Sequence, residues 1–314
     1  MSAKRLRLRF NGDGTFTILQ LTDIHWRNGD DQDRRSRALI ELALDSEAPD
    51  LVVLTGDILS GEESLDPGAA YRAAVAPIED RAVPWAAVFG NHDDEGALSR
   101  AALLEVQKAL PHCLTERGPK SLTGVGNYVL RVLSARDDRM AAALYFIDSG
   151  AYNDLGIGHY AWIARDQIAW YARTSARLRH QHAAAGGATT LPALAFFHIP
   201  LPEYDEVWRT AVCRGHRHEP VCGPSANSGF FAALLEAGDV MGAFCGHDHV
   251  NDFEGELHGI RLCYGRATGF SPYGREGFHR GARVVRLRQG ERTFETWVRL
   301  EDGSALTNPP IHEP

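Results

Sequence analysis

Few features of this 314-residue sequence point to export or to a membrane. It has no run of about 18 consecutive apolar residues, which a membrane-spanning helix needs. No apolar stretch of signal-peptide length follows the basic N-terminus, and no Asn-x-Ser/Thr glycosylation site is present. We therefore expect a cytoplasmic protein without a membrane partner.

Cysteine is also scarce, and the spacing of the five cysteines includes no Cys-x-x-Cys pair. This argues against a zinc ribbon and against a disulfide framework. We expect free thiols, although the short separation between Cys213 and Cys222 leaves a bridge between these two as an alternative. Cys245 lies in an apolar run, which favours burial over metal binding.

An excess of positive charge is the third missing feature. The chain has 33 basic and 41 acidic residues, a formal net charge of −8. Its overall field repels a polyanion, so a long nucleic acid is excluded as the expected partner. The hydrophobic content of 44% is enough for a large core. We see no linker and predict one domain over residues 1–314.

Short apolar runs separated by segments with helical spacing predict an α/β fold. The runs lack two-residue alternation, as expected for strands covered on both faces. Phe230 to Leu235 has the spacing of a helix that ends at Gly238, and closely spaced strand-like runs fill the C-terminal third. The six main runs are Ile18 to Leu21, Leu51 to Leu54, Trp85 to Phe89, Leu144 to Ile147, Leu194 to Phe197 and Val240 to Cys245.

Metal-competent side chains follow five of these runs. Because ligands of α/β sheets bind beyond the carboxyl ends of the strands, we expect these five ends to converge on one pocket. Taken singly, each residue has an ordinary explanation, such as a turn, a helix cap or a buried neutral histidine. Five such coincidences in one chain are improbable. The side chains are Asp23 and His25, Asp57, Asn91 with His92, His198, and His247 with His249.

A second Gly-His-x-His string, Gly215 to His218, provides an internal control. It follows no apolar run and lies among charged residues, so we predict a solvated loop there and reserve the metal for His247 and His249. Position relative to a strand separates the two strings.

The order Asp-x-His, Gly-Asp, Gly-Asn-His-Asp, lone His, Gly-His-Asp-His over residues 16 to 290 resembles the calcineurin-like metallophosphoesterase superfamily. The strings PALAFFHIPLPEY (192–204), NSGFF (227–231) and CGHDHVNDF (245–253) are similar to the purple-acid-phosphatase-like branch of plants, fungi and bacteria. The resemblance implies a four-layer α/β/β/α sandwich with two mixed sheets and the metal site at the carboxyl ends of strands.

The resemblance also implies roles for the eight motif residues. Asp57 would bridge two ions, Asn91 would bind through its amide oxygen, and His92 would contact the substrate or its leaving group. Nitrogen and oxygen ligands without thiolate favour Mn, Fe, Zn or Co. The implied ligand sets are Asp23, His25, Asp57 and His249 for one ion, and Asp57, Asn91, His198 and His247 for the other.

Two departures from related enzymes matter. Purple acid phosphatases use a glycine and an iron-binding tyrosine where this chain has His25 and Ser60, so a purple ferric site is not expected. The second aspartate of the protein-phosphatase motif is also missing, because residues 56 to 61 read GDILSG. The residue that orients His92 therefore stays unassigned.

The expected activity is hydrolysis of a phosphate ester by a water or hydroxide that bridges the two metal ions. A phosphomonoester of a small molecule or a phosphoprotein is favoured as substrate. A phosphodiesterase of the same fold and a catalytically idle phosphate-binding module are the alternatives. Residues near the motifs that could wall the pocket, with equally plausible structural roles, are Tyr204, the loop from Arg214 to Asn227, Tyr264, Arg266 and Tyr273.

Overall fold

A computed structural model describes residues 6–187 and 190–314. Its strands are β1 (Leu8–Arg9), β2 (Thr15–Leu21), β3 (Leu51–Thr55), β4 (Trp85–Val88), β5 (Tyr128–Leu133), β6 (Met140–Phe146), β7 (Ala193–Phe196), β8 (Cys213–Arg214), β9 (Val240–Cys245), β10 (Glu254–Leu257), β11 (Ile260–Tyr264), β12 (Gly281–Arg288), β13 (Phe294–Leu300), β14 (Ala305–Leu306) and β15 (Ile311–His312). Its helices are α1 (Asp31–Glu47), α2 (Pro67–Asp80), α3 (Arg100–Lys108), α4 (Arg165–Ala184), α5 (Glu203–Thr210) and α6 (Phe230–Ala237), with a 3₁₀ turn at Gly61–Glu63.

The six main apolar runs all form strands, as predicted, and the helix at residues 230–237 ends before Gly238. Local sequence explains several of these boundaries. The carboxylate of Asp30 accepts a hydrogen bond from the backbone N–H of Asp33 at the start of α1. Gly238 has a φ of 70°, a left-handed conformation that glycine adopts without a side-chain penalty.

Two mixed sheets contain the strands. One has six strands in the order β14-β13-β12-β2-β3-β4, in which β2, β3 and β4 are parallel and β12 is antiparallel to β2. The other has nine strands in the order β1-β5-β6-β7-β9-β11-β10-β8-β15, with β6, β7, β9 and β11 parallel. The predicted pair of mixed sheets is confirmed.

Three apolar clusters lie between successive layers. Helices α1 to α3 cover the outer face of the six-stranded sheet, and residues of α4 to α6 pack on the outer face of the nine-stranded sheet. Between the sheets lies a third cluster that includes Ile18, Val53, Phe196 and Phe244. The order of layers is therefore α/β/β/α. Strands covered on both faces explain why the apolar runs showed no alternation.

The structure settles the state of the cysteines. All five are free thiols, so the alternative bridge between Cys213 and Cys222 is not formed, and Cys245 is fully buried. Among the described helices, none has both the length and the apolar composition that crossing a bilayer requires.

Candidate metal centre

The segments that follow β2, β3, β4, β7 and β9 meet at one edge of the two sheets. Backbone hydrogen bonds hold neighbouring segments together across this edge. The N–H of Asp23 donates to the carbonyl of Gly56 at 3.1 Å, and the N–H of Gly246 donates to the carbonyl of His198 at 3.0 Å. The N–H of His247 also donates to both carboxylate oxygens of Asp23, at 3.0 and 3.1 Å. These contacts bring the two sheets to one site.

Carboxylates and imidazoles form two groups there, and within each group the ligand atoms lie within 4.8 Å of one another. All of these residues are buried, and Asp57 belongs to both groups. The first group is Asp23, His25, Asp57 and His249, and the second is Asp57, His198 and His247. These are the charged and imidazole members of the two predicted ligand sets. That they bind metal ions stays a prediction.

The two carboxylate oxygens of Asp57 differ in their contacts. Its Oδ1 accepts a hydrogen bond from the N–H of His92 at 2.8 Å. Its Oδ2 lies 3.0 Å from Nε2 of His198 and 3.6 Å from Nε2 of His25, yet it makes no hydrogen bond of acceptable geometry to any described residue. A buried carboxylate oxygen without a hydrogen bond is costly, and a bound cation would compensate for it.

The imidazoles are oriented by their second ring nitrogens. Nδ1 of His198 donates to the carbonyl of Thr55 at 2.7 Å, which leaves Nε2 facing Asp57. Ser60 Oγ lies 3.4 Å from Nδ1 of His25, and this again leaves Nε2 on the side of the site. Such outer contacts fix the ring and the tautomer of a metal-binding histidine.

Asn91 completes the second predicted set. Its side-chain nitrogen donates to the hydroxyl of Tyr152 at 3.1 Å. Its Oδ1 is buried and has no hydrogen-bond partner among the described residues. A buried carbonyl oxygen without a hydrogen bond is costly, and a bound cation would compensate for it. The residues present therefore fit a pair of bound cations.

The charges of the metal-free site are also informative. Burial lowers the pKa of His25 to about 4 and that of His247 to about 3, so both rings are neutral near pH 7 and have lone pairs for a cation. Burial has the same effect on His198, but the charge of Asp57 outweighs it and raises the pKa of His198 to about 9. A cation at this position would displace that proton.

Strained backbone accompanies the site. Asp23, His25, Asp57 and His247 have φ angles of 53°, 51°, 50° and 80°, in the left-handed region that few non-glycine residues occupy. Such conformations cluster at functional sites, where surrounding contacts hold them in place. Gly90 is needed for a different reason, since a Cβ atom there would lie 2.1 Å from Oδ1 of Asp57.

His92 lies at the mouth of the site. With His25 and His249 it lines a cavity of about 320 Å³. Its Nδ1 lies 2.5 Å from a carboxylate oxygen of Glu95, which leaves Nε2 as the ring nitrogen available to the cavity. Burial lowers the pKa of His92, but the charges of Asp57 and Glu95 outweigh burial and raise it above its ordinary value. Glu95 is thus the orienting partner that the sequence left unassigned.

Two further residues support the metal-facing loops. The carboxylate of Asp93 accepts four backbone N–H groups, those of Asp57, Ile58, Leu59 and Gly90, and so ties the loops after β3 and β4 together. Asp93 is the last residue of the Gly-Asn-His-Asp motif, and its sequence position alone predicted no role for it.

Arg100 of α3 is the second support, and no sequence signal singled it out. This buried side chain donates to the carbonyl of Gly90 at 2.8 Å and to Asp94 at 3.1 Å. It also pairs with Asp148, which follows β6. Arg100 therefore joins the loop after β4 to the nine-stranded sheet.

The second Gly-His-x-His string differs in part from its prediction. It follows the two-residue strand β8, and His216 is half-buried whereas His218 is exposed, so the predicted solvated loop is confirmed at His218 but not at His216. The N–H of His216 donates to Asp252 at 2.6 Å, and the N–H of His218 donates to Asn251 at 2.9 Å. A strand of two residues is too short to leave a pattern in the sequence. Neither histidine belongs to a metal-competent group among the described residues.

Of the residues considered as pocket walls, Tyr273 alone lines the cavity beside His92. Tyr204 and Tyr264 are fully buried in the core, and Arg266 is buried in an ion pair with Asp252. Core packing explains the two buried tyrosines, and the ion pair explains Arg266. Tyr273 packs on the ring of His249, with 4.3 Å between ring centroids.

A sequence profile described as calcineurin-like phosphoesterase matches residues 16–251, about three quarters of the chain. The chain belongs to this family. Its membership agrees with the convergence of strand ends and with the two metal-competent groups that share Asp57. The resemblance drawn from the motifs is thereby confirmed.

Curated relatives of this calcineurin-like phosphoesterase come from plants and fungi. The "Probable inactive purple acid phosphatase 29" of Arabidopsis thaliana is 37% identical, over 96% of this chain and 86% of the relative. "Phosphatase DCR2" of Saccharomyces cerevisiae is 34% identical, over 94% of this chain and 55% of the relative. These relatives place the chain beside purple-acid-phosphatase-like proteins.

Solved structures share the fold. A dimetal phosphatase from Danio rerio superposes with a TM-score of 0.58 at 14% identity, over 90% of this chain and 98% of that structure. The purple acid phosphatase PPD1 of yellow lupin gives a TM-score of 0.58 at 12% identity, over 96% of this chain and 54% of that structure.

Proposed function

We propose that this chain is an active phosphomonoesterase with two metal ions, held by the two ligand sets that share Asp57. The observation that carries the proposal is Oδ2 of Asp57, a buried oxygen without a hydrogen bond that lies between His25 and His198. The unpartnered Oδ1 of Asn91 supports it independently. Two bound cations would neutralise the phosphate and acidify a water molecule for attack on phosphorus.

His92 is the proposed general acid. Its Nδ1 is held by Glu95, so Nε2 is the nitrogen that can give a proton to the departing oxygen. In the metal-free protein the charges of Asp57 and Glu95 outweigh burial and raise the pKa of His92, and the carboxylate of Glu95 beside Nδ1 would stabilise a protonated ring. The N–H of His92 is bonded to Asp57, which keeps the ring beside the proposed metal bridge.

Turnover is supported by the completeness of the site. The name of the Arabidopsis relative describes that protein as probably inactive. In this chain all seven proposed ligands and His92 are present, whereas an idle phosphate-binding module would be expected to have lost at least one. The buried side-chain oxygens of Asp57 and Asn91 that make no hydrogen bond also argue for a site that still binds cations.

The lining of the cavity supports a compact substrate. Glu62, Glu63 and Glu95 line it together with His92, and no lysine or arginine is among its described lining residues. These carboxylates and the net charge of −8 disfavour a long polyanion. A phosphorylated small molecule or a phosphoprotein is therefore the proposed substrate, and a nucleic acid is not.

Hydrolysis of 4-nitrophenyl phosphate and bis(4-nitrophenyl) phosphate with added Mn²⁺ tests the proposal. We expect turnover of both or of the monoester alone, with the higher kcat/KM for the monoester. A preference for the diester would support the alternative phosphodiesterase, and no turnover with two Mn²⁺ bound would support the idle module.

The role of His92 has its own test. His92→Asn should retain metal and lower kcat for an alkyl phosphate by about 100-fold, because proton donation is lost. The loss should be smaller for 4-nitrophenyl phosphate, whose leaving group needs no proton. His279→Asn is the matched control, since His279 forms a similar pair with Glu301 on the surface. Equal losses for both esters would contradict proton donation by His92.

A further inference from the structure

A chain of hydrogen bonds runs from a proposed metal ligand to the proposed general acid. Asn91 Nδ2 donates to the hydroxyl of Tyr152 at 3.1 Å. That hydroxyl donates to one carboxylate oxygen of Glu95 at 2.7 Å, and the other oxygen of Glu95 lies 2.5 Å from Nδ1 of His92. We propose that Tyr152 is a positioning residue whose hydroxyl orients both Asn91 and His92. The part of this inference that concerns His92 as a proton donor rests on the proposed function.

The direction of the hydrogen bonds orients the Asn91 amide. An ionised carboxylate only accepts, so the single hydroxyl proton of Tyr152 is used on Glu95. The hydroxyl oxygen can then only accept from Asn91, which requires the NH₂ group of the amide to face Tyr152. The opposite end, Oδ1, consequently faces the site, and it is the buried oxygen without a described partner. Without the hydroxyl, no described hydrogen bond would hold the amide in this orientation before a cation binds, and a reversed amide would have to turn first.

The same hydroxyl fixes the other end of the chain. Tyr152 holds Glu95, and Glu95 occupies Nδ1 of His92. With Nδ1 engaged, Nε2 is the nitrogen that faces the cavity shared with His25 and His249. Loss of the hydroxyl would free Glu95 and, through it, the ring of His92.

Tyr152 reaches this position from the segment that follows β6. An isolated antiparallel bridge pairs Tyr152 with Tyr160, which fixes both tyrosines beside the site. Tyr160 packs edge-on against the ring of His247, with 4.4 Å between centroids. The hydroxyl of Tyr152 makes two hydrogen bonds, whereas the hydroxyl of Tyr160 makes none to any other described residue. Tyr160→Phe is therefore a matched control in which a hydroxyl is lost from the same segment.

The first experiment measures metal binding without turnover. Metal-free Tyr152→Phe is titrated with MnCl₂ by calorimetry beside wild type and Tyr160→Phe. We expect two ions per chain in all three proteins, with one of the two affinities reduced about tenfold in Tyr152→Phe alone, as for other residues that orient a ligand. An unchanged affinity in Tyr152→Phe, or an equal loss in Tyr160→Phe, would overturn the inference.

The second experiment measures positioning of the acid. The ratio of kcat for 4-nitrophenyl phosphate to kcat for ethyl phosphate should rise about tenfold in Tyr152→Phe and stay constant in Tyr160→Phe. A merely structural role would lower Tm and both rates together and leave this ratio unchanged. An unchanged ratio would overturn the proposal that Tyr152 orients His92. A change in the Mn²⁺ affinity alone, or in the ratio alone, would overturn the proposal that one hydroxyl orients both Asn91 and His92.

Failure of the proposed function gives a distinct result. If wild-type protein with two Mn²⁺ ions hydrolyses neither ester, no acid is at work and the proposed function is wrong. The Mn²⁺ titration then decides the remaining claim about Asn91, because it requires no turnover. A tenfold weaker site in Tyr152→Phe would still support that claim, and unchanged binding would refute it.

Discussion

The two Gly-His-x-His strings have the same pattern and opposite surroundings. Residues 246–249 follow β9, an interior strand of the nine-stranded sheet, whereas residues 215–218 follow β8, next to the edge strand β15. His247 and His249 are buried beside Asp23 and Asp57. His216 is half-buried and bonded to Asp252.

The difference lies in whether the neighbouring carboxylate has an oxygen to spare. Both oxygens of Asp252 are occupied, one by the N–H of His216 and the other by Arg266. Oδ2 of Asp57 makes no hydrogen bond to any described residue and lies beside the imidazoles of His198 and His25, at 3.0 and 3.6 Å. A histidine beside a satisfied carboxylate is part of a structural network, and a histidine beside an unsatisfied one is a candidate ligand.

The largest expected effect tests the shared carboxylate. Asp57→Ala should abolish binding of both ions and lower kcat/KM by at least about 1000-fold, because nucleophile activation and phosphate neutralisation are lost together. Elemental analysis of the purified protein measures the metal. Asp252→Asn is the control and should retain two ions. Full occupancy in Asp57→Ala would show that Asp57 does not bridge.

The second-largest expected effect is the loss of metal binding when histidines of the two Gly-His-x-His strings are replaced. His247→Ala and His249→Ala should each weaken Mn²⁺ binding at one site by more than about 100-fold, the upper range for residues that only support a ligand. The double variant His216→Ala/His218→Ala should bind Mn²⁺ like wild type. Calorimetric titration measures each affinity. Equal losses in both kinds of variant would break the comparison.

A smaller effect concerns stability. Asp252→Asn removes one partner of a buried ion pair with Arg266, so we expect the free energy of unfolding to fall by about 3 kcal/mol near neutral pH. Urea unfolding of metal-free protein measures the difference from wild type. An unchanged free energy of unfolding would mean that Asp252 does not anchor the second string, residues 215–218.

The difference in the free energy of unfolding between wild type and Asp252→Asn should also depend on pH. Burial raises the pKa of Asp252, but His216 and Arg266 outweigh burial and leave it below its ordinary value. A carboxylate with a lowered folded-state pKa contributes stability above the unfolded value of about 3.9 and loses it as pH falls through the folded value. The difference between wild type and Asp252→Asn should therefore narrow as the pH falls below about 4. A difference that stays constant or grows below pH 4 would contradict the ion pair.

The smallest expected effect is an absent signal. Iron-loaded protein should show no intense visible tyrosinate band, because Ser60 contacts His25 where the purple enzymes have tyrosine. Visible absorption spectroscopy tests this. A strong band that disappears when a tyrosine is replaced would show that phenolate, and not imidazole, completes the site.

Much of the site was predictable because its residues occupy fixed places relative to strands. Asp23, Asp57 and His198 each follow a strand that the apolar runs located, and the carboxyl ends of parallel strands meet at one edge. The weakest prediction was the environment of His216. Two residues of β8 carry no periodic signal, and the bond to Asp252 spans 36 positions.

The sequence by itself determined the main strands and the residue types at their ends, because burial on both faces and the turn after a strand are encoded locally. The order of the four layers was expected only from the family resemblance. Tertiary structure alone decided which buried oxygens make no hydrogen bond, and which residues orient Asn91 and His92. Tyr152 meets Asn91 across 61 positions, and nothing near either residue signals the pairing. Such contacts depend on how the segments after β4 and β6 fold against each other, and local propensity does not encode that packing.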